Sequence, residues 1–159
     1  MVKVRGYTDN DYEDLRQNLQ DAGLNNINWD SREILQKKIE AAPDSILVAE
    51  DDGKVVGNVY LVEDPWNSFI FRLSVREDYR DKGIGTLLMQ EAEARLKSKG
   101  VSRVSVLVRD SELERLTGFY GDHGYIPMHP NHKVFTKSLE SWLFGTFEKF
   151  QMFIYYLNQ

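Results

Sequence analysis

The chain has 159 residues, 42% hydrophobic and 28% charged, the size and balance of one globular domain. It contains no cysteine, which excludes a disulfide framework, a thiolate metal site and a cysteine nucleophile. Twenty Lys and Arg stand against 25 Asp and Glu, a formal net charge of -5. That sign is opposite to the basic stripe of a nucleic-acid binder and suits a small-molecule or peptide amine as partner.

No apolar run approaches the roughly 20 residues of a membrane span, and the N-terminus lacks a basic, apolar, small-residue signal. The expectation is a soluble, cytoplasmic chain with neither membrane nor nucleic-acid partners. No repeat or Pro- and Ser-rich linker interrupts it, so 1–159 reads as one domain.

Val2 to Tyr7 alternates apolar and charged residues and predicts a strand. Thr8 and Asp9 then precede a helical stretch with Tyr12, Leu15 and Leu19. Leu24 to Trp29 is rich in turn-forming amides, and Asp30 or Ser31 can cap a second helix carrying Ile34, Leu35 and Ile39 before Pro43. Ser45–Glu50 and Lys54–Val62 are β-rich runs joined by Asp51-Asp52-Gly53, a hairpin signal. After the turn Asp64-Pro65-Trp66-Asn67, Phe69–Val75 predicts a third strand of the meander.

Ile84, Leu87, Leu88, Ala92 and Leu96 recur at helical intervals up to Gly100. Val101–Val108 predicts a strand, Ser111–Asp122 a helix stopped by His123-Gly124, and Lys133–Leu139 a last strand. This order calls for an α/β fold, a mixed sheet with helices on both faces. The core is expected over 2–139, followed by an aromatic-rich helical extension at 140–159. There Leu143, Phe147, Phe150, Ile154 and Leu157 line one helix side, which closes over the domain's own core or forms a homodimer surface.

The most informative stretch runs from Val75 through Arg76, Arg80, Asp81, Lys82, Gly83, Ile84, Gly85 and Thr86 to Leu88, from a strand into a helix through a loop with two glycines. Such a loop aims several backbone N–H groups at one anion, and the helix start adds unpaired donors and partial positive charge. Glycines 83 and 85 leave room for close approach of phosphate oxygens, and Arg80 and Lys82 add formal charge; the site suits a pyrophosphate. A third glycine at dinucleotide-fingerprint spacing is missing, and there is no Gly-Lys-Ser/Thr for a Walker loop.

Arg80-x-x-Gly83-x-Gly85, preceded by Leu73-Ser74-Val75 and followed by Thr86-Leu87-Leu88, resembles the acetyl-CoA-binding motif of the GNAT superfamily of N-acetyltransferases. The element order resembles that fold from about Val2 to Leu139. The resemblance implies that Leu73, Ser74 and Val75 offer main-chain groups to pantetheine where the sheet splays at a bulge. It implies that Arg80, Asp81, Lys82, Gly83, Ile84, Gly85 and Thr86 wrap the pyrophosphate of the co-substrate acetyl-CoA. Phe119-Tyr120-Gly121-Asp122-His123-Gly124-Tyr125 resembles a second family segment and places Tyr120 as proton donor to the departing thiolate.

The sequence departs from the family where Glu112 or Leu113 replaces a common Asn, and where Phe69 and Leu107 stand in place of a Glu that serves as base. Glu63, Asp64, Asp110, His123, His129 and His132 remain candidate bases. The main-chain N–H of Val75 is the expected oxyanion donor. His123, His129 and His132 lack a carboxylate or thiolate partner for a metal, and none is expected. Trp29 or Trp66 could present an aromatic face to a cation. The implied activity is acetyl transfer from acetyl-CoA to a primary amine in a ternary complex; the alternative is a non-catalytic acyl-CoA-binding sensor.

Overall fold

The computed structural model describes residues 1–126. The expected strand at 133–139, the helix at 140–159 with its homodimer surface, and His129 and His132 lie outside the described residues.

Strand β1 (Lys3–Gly6) is followed by a short 3-10 turn and helix α1 (Tyr12–Asp21), then α2 (Ile27–Asp30) and α3 (Arg32–Ala41). The meander is β2 (Ile46–Asp51), β3 (Lys54–Val62) and β4 (Ser68–Val75). Helix α4 (Ile84–Ser98), β5 (Val104–Val106) and α5 (Asp110–Asp122) complete the described chain. The five strands form one mixed sheet in the order β1-β2-β3-β4-β5, antiparallel except for the parallel β4–β5 pair.

Both faces of the sheet are covered, so the central strands read as nearly unbroken apolar runs rather than alternating ones. On one face, Leu47, Ala49, Val56, Val59, Leu61 and Ile70 meet Ile84, Leu88, Met89, Ala92 and Leu96 of α4. On the other, Tyr7, Ile46, Val48, Val55 and Tyr60 meet Tyr12, Leu15 and Leu19 of α1 and Leu35 of α3. Leu15, Leu35 and Leu88 are fully buried; each contributes about 2 kcal/mol, and truncation to Ala costs about 3 kcal/mol once the cavity is counted.

The Asp52-Gly53 turn has φ of 48° and 77° at its two central residues. That left-handed pair matches strand twist, which explains why the Asp-Gly signal makes a tight hairpin here. At the start of the chain, the Arg5 guanidinium donates to both oxygens of Asp11 at 2.7 and 2.8 Å, and Thr8 donates its N–H and hydroxyl to the same carboxylate. Burial pushes the Asp11 carboxyl up, but Arg5 and Thr8 outweigh it and hold it below the ordinary value.

Two expectations need correction. The amide-rich stretch expected as a turn contains α2, because the Asn26 side chain accepts from Asn28 N–H while the Asp30 carboxylate accepts from Asn26 N–H. Of the two caps open to α3, Ser31 serves, accepting from Ile34 N–H, and Asp30 is buried. The strand expected over Val101–Val108 is only three residues long. At one end Val101 N–H caps α4 through Leu96 O, and at the other the Arg109 guanidinium turns to the carbonyls of Ala22 and Gly23 behind α1. Among the described residues no helix is long and apolar enough to cross a membrane.

Candidate functional site

The site begins as a defect in β4. Opposite the step from Asn58 to Tyr60 in β3, β4 runs from Ser74 to Phe71, one residue too many. The extra residue is accommodated at Arg72, whose φ of 57° is unusual for a side chain with a Cβ. A bulge places two successive residues on the same face. Phe71 packs with the α1–α3 core, while Leu73 and Val75 pack with the α4 core. Asn58 is buried and holds this shape, donating Nδ2–H to the Arg72 carbonyl at 2.8 Å and accepting the Ser74 hydroxyl at 2.8 Å.

The bulge also opens the sheet. β5 pairs with β4 only from Ser68 to Ile70. Beyond Ile70 the β5-side edge of β4 has no strand beside it among the described residues. Arg76 N–H donates to Val56 O, so Arg76 faces β3 and, by the alternation of an antiparallel ladder, the N–H and C=O of Val75 face the opened side. The Val75 carbonyl accepts a 3.3 Å bond from Arg80 Nε–H.

The loop then reaches α4. Asp81 and Gly83 both have positive φ, 59° and 77°, and this pattern curls consecutive N–H groups toward one point. Leu87 N–H donates to Gly83 O, the first bond of the helix. Among the described residues the N–H groups of Asp81, Lys82, Gly83, Ile84, Gly85 and Thr86 find no protein acceptor. Six adjacent donors at a helix N-terminus form an anion site by geometry and dipole together.

The two glycines sit in different surroundings. A Cβ at Gly83 would meet nothing within 4 Å, so that position is glycine for its left-handed backbone. A Cβ at Gly85 would lie 3.5 Å from the Phe119 ring and 4.0 Å from Val75 Cγ2. A methyl at Gly85 would therefore make ordinary contact between β4, α4 and α5. Lys82 is folded back, its Nζ donating to Asp78 O at 2.8 Å and lying 4.8 Å from the Tyr79 ring centre. A hollow of about 180 Å³ beside the loop is bounded by Val2 and Asp51 opposite Tyr79, Lys82, Ile84 and Leu87; it does not include Gly85, Val75 or Tyr120.

Tyr120 stands on α5 between Phe119 and Tyr125, edge-on to both rings at 5.2 and 5.8 Å, and packs against the α4 core. Burial raises its phenol above the ordinary value, only partly opposed by Arg115, so the group holds its proton. Its hydroxyl has no hydrogen-bond partner among the described residues.

The candidate bases divide. Glu63 is paired with Lys99 at 2.6 Å, and Asp64 closes its own turn by accepting from Trp66 N–H and Asn67 N–H. His123 Nδ1 lies 2.7 Å from Phe119 O, which fixes it as the donor and leaves Nε2 buried without a partner. Leu107 is exposed just past β5 and Phe69 pairs with Val62 and Ser105. Glu112 is taken by Arg115. Among the described residues no group of three or more His, Cys, Asp or Glu could hold a metal ion.

Sequence reasoning missed Asn58, Arg72 and Asp30. A signal was present for the first two: each interrupts an otherwise apolar strand, Lys54–Val62 and Phe69–Val75. Asp30 offered none beyond its capping residue type.

The chain is similar to known proteins. An acetyltransferase of Pectobacterium atrosepticum is 30% identical over 93 residues, covering 58% of this chain and 65% of the relative, a little under two thirds of that protein's length. Ard1 from Thermoplasma volcanium superposes with a TM-score of 0.71 at 20% identity over 80% of this chain and 84% of that one. The PaiA N-acetyltransferase from Thermoplasma acidophilum, in complex with coenzyme A, gives 0.68 at 21% identity over 77% and 88%. These two structures share the fold. Residues 11–125, which take in helices α1 to α5 and the strands from β2 to β5, match the family described as Acetyltransferase (GNAT), and the chain belongs to that family.

Proposed function

We propose that this protein is an N-acetyltransferase that moves the acetyl group of acetyl-CoA to a primary amine by direct attack in a ternary complex. The observation that carries this reading is the row of six unpartnered N–H groups from Asp81 to Thr86, set directly after a β4 edge whose partner strand has parted from it. Those donors suit a diphosphate, and the open main-chain groups of Leu73 suit an amide of a pantetheine arm. Membership of the GNAT family and the coenzyme A held by the PaiA relative support the same co-substrate.

Acetyl-CoA supplies the acyl group as a thioester. The neutral amine nitrogen forms the new C–N bond and gives up one proton to water, the C–S bond breaks, and the sulfur leaves as a thiolate that takes up a proton. The Val75 N–H, facing the opened edge, stabilises charge developing on the carbonyl oxygen. The Tyr120 phenol, kept protonated by burial, donates to the sulfur. With no cysteine in the chain, the acetyl group is not parked on a thiol. The formal charge of -5 favours a cationic acceptor such as a small amine or a peptide amine.

Incubation with acetyl-CoA and a panel of amines, with release of the free thiol followed by colour, tests the reading. Amine-dependent thiol formation is expected. Tight acetyl-CoA binding without turnover would replace the enzyme with a binding module, and absence of binding would overturn both.

A further inference from the structure

Arg72 joins two regions that the proposed mechanism treats as separate. Its backbone forms the bulge, and its carbonyl is held by Asn58. Its side chain leaves the sheet on the opposite side from Leu73 and Val75 and reaches the segment between α1 and α3. There Nη1 donates to Leu24 O at 2.6 Å, Nη2 meets Asp30 Oδ2 at 3.1 Å, and the guanidinium lies 5.6 Å from the Trp29 ring centre. The pair is well removed from water, with the Arg72 side chain 13% exposed and that of Asp30 1%. Asp30 Oδ2 also accepts Asn26 N–H at 2.7 Å, while Oδ1 is buried without a partner among the described residues.

Geometry links the two roles. In a regular strand the residue after Phe71 would turn toward α4, and Arg72 could not reach Asp30. The latch therefore exists only while the bulge exists, and the bulge decides which main-chain groups of β4 face the opened edge. We propose that Arg72 is a positioning residue that couples the α2 segment to this edge, so that occupation of the β4 edge is felt at Trp29. The proposal rests on the reading that acetyl-CoA lies along β4.

The experiment uses the full chain with Trp66→Phe and Trp142→Phe, leaving Trp29 as the reporter, and titrates coenzyme A by calorimetry and by fluorescence in parallel. The expected result is a change in Trp29 emission with the calorimetric midpoint. In Arg72→Lys the Trp29 response to bound coenzyme A is lost, and calorimetry reads the coenzyme A binding that remains. Asp30→Asn keeps the shape, removes the charge and is expected to behave alike, so a poorly folding Arg72 variant leaves a second reading. Binding with a silent Trp29, or an unchanged Trp29 response in both variants, would overturn the coupling alone. No calorimetric heat with the parent chain would overturn the acetyl-CoA reading and the coupling with it.

Discussion

Asn58 fixes the backbone of Arg72 from the neighbouring strand. Its buried amide donates to the Arg72 carbonyl at 2.8 Å, and its oxygen accepts the Ser74 hydroxyl. Asn58→Leu leaves both groups buried and unpaired, which is expected to destabilise the fold by about 2 kcal/mol in urea unfolding and to weaken acetyl-CoA binding as the edge relaxes. Unchanged stability would show that the clamp is dispensable.

Gly83 and Gly85 are expected to respond differently. Gly83→Val forces a β-branched residue to φ of 77° and is expected to reduce acetyl-CoA affinity about tenfold, whereas Gly83→Asn, tolerant of that region, is expected to lose less. Gly85→Ala places a methyl at ordinary contact with Phe119 and is expected to be mild in both stability and affinity. Calorimetry on the three variants checks the order.

Tyr120→Phe is expected to lower turnover about a hundredfold while leaving acetyl-CoA affinity nearly unchanged. Burial raises the phenol above its ordinary value, so its proton is present through neutral and mildly alkaline pH. The Tyr120 contribution is therefore expected to be lost only in strongly alkaline solution, and the Phe variant to lack that limb. A pH-rate profile of both proteins measures it.

Arg5 and Thr8 hold the Asp11 carboxyl below its ordinary value despite burial. A depressed carboxyl contributes stability present above its unfolded pKa, near 4, and lost as pH falls through the folded one. Asp11→Asn is expected to cost about 2 kcal/mol at pH 7 and to flatten the acid limb of the stability curve, read by urea unfolding from pH 7 to pH 2.

Local features were the legible ones. The four-residue steps of α4, the Asp-Gly hairpin and the Arg80-x-x-Gly83-x-Gly85 loop are short-range patterns, and the structure has all three. The bulge was expected from resemblance, but its location at Arg72 was not legible. A bulge breaks the period of two, and the partners that define it, Asn58 and Asp30, lie on other elements. The reason for Gly83 was likewise hidden: it read as space for phosphate, whereas it answers to its own dihedral angle. The length of β5 was set by Val101 and Arg109, each drawn off to cap a helix.

The central claim is that the backbone amides from Asp81 to Thr86 bind the diphosphate of acetyl-CoA. Assigned proton–nitrogen correlation spectra recorded during a titration with acetyl-CoA test it directly. The account predicts that these six amides shift downfield together, with Leu73 and Val75 following. Saturation that moves other amides while these stay in place would contradict it.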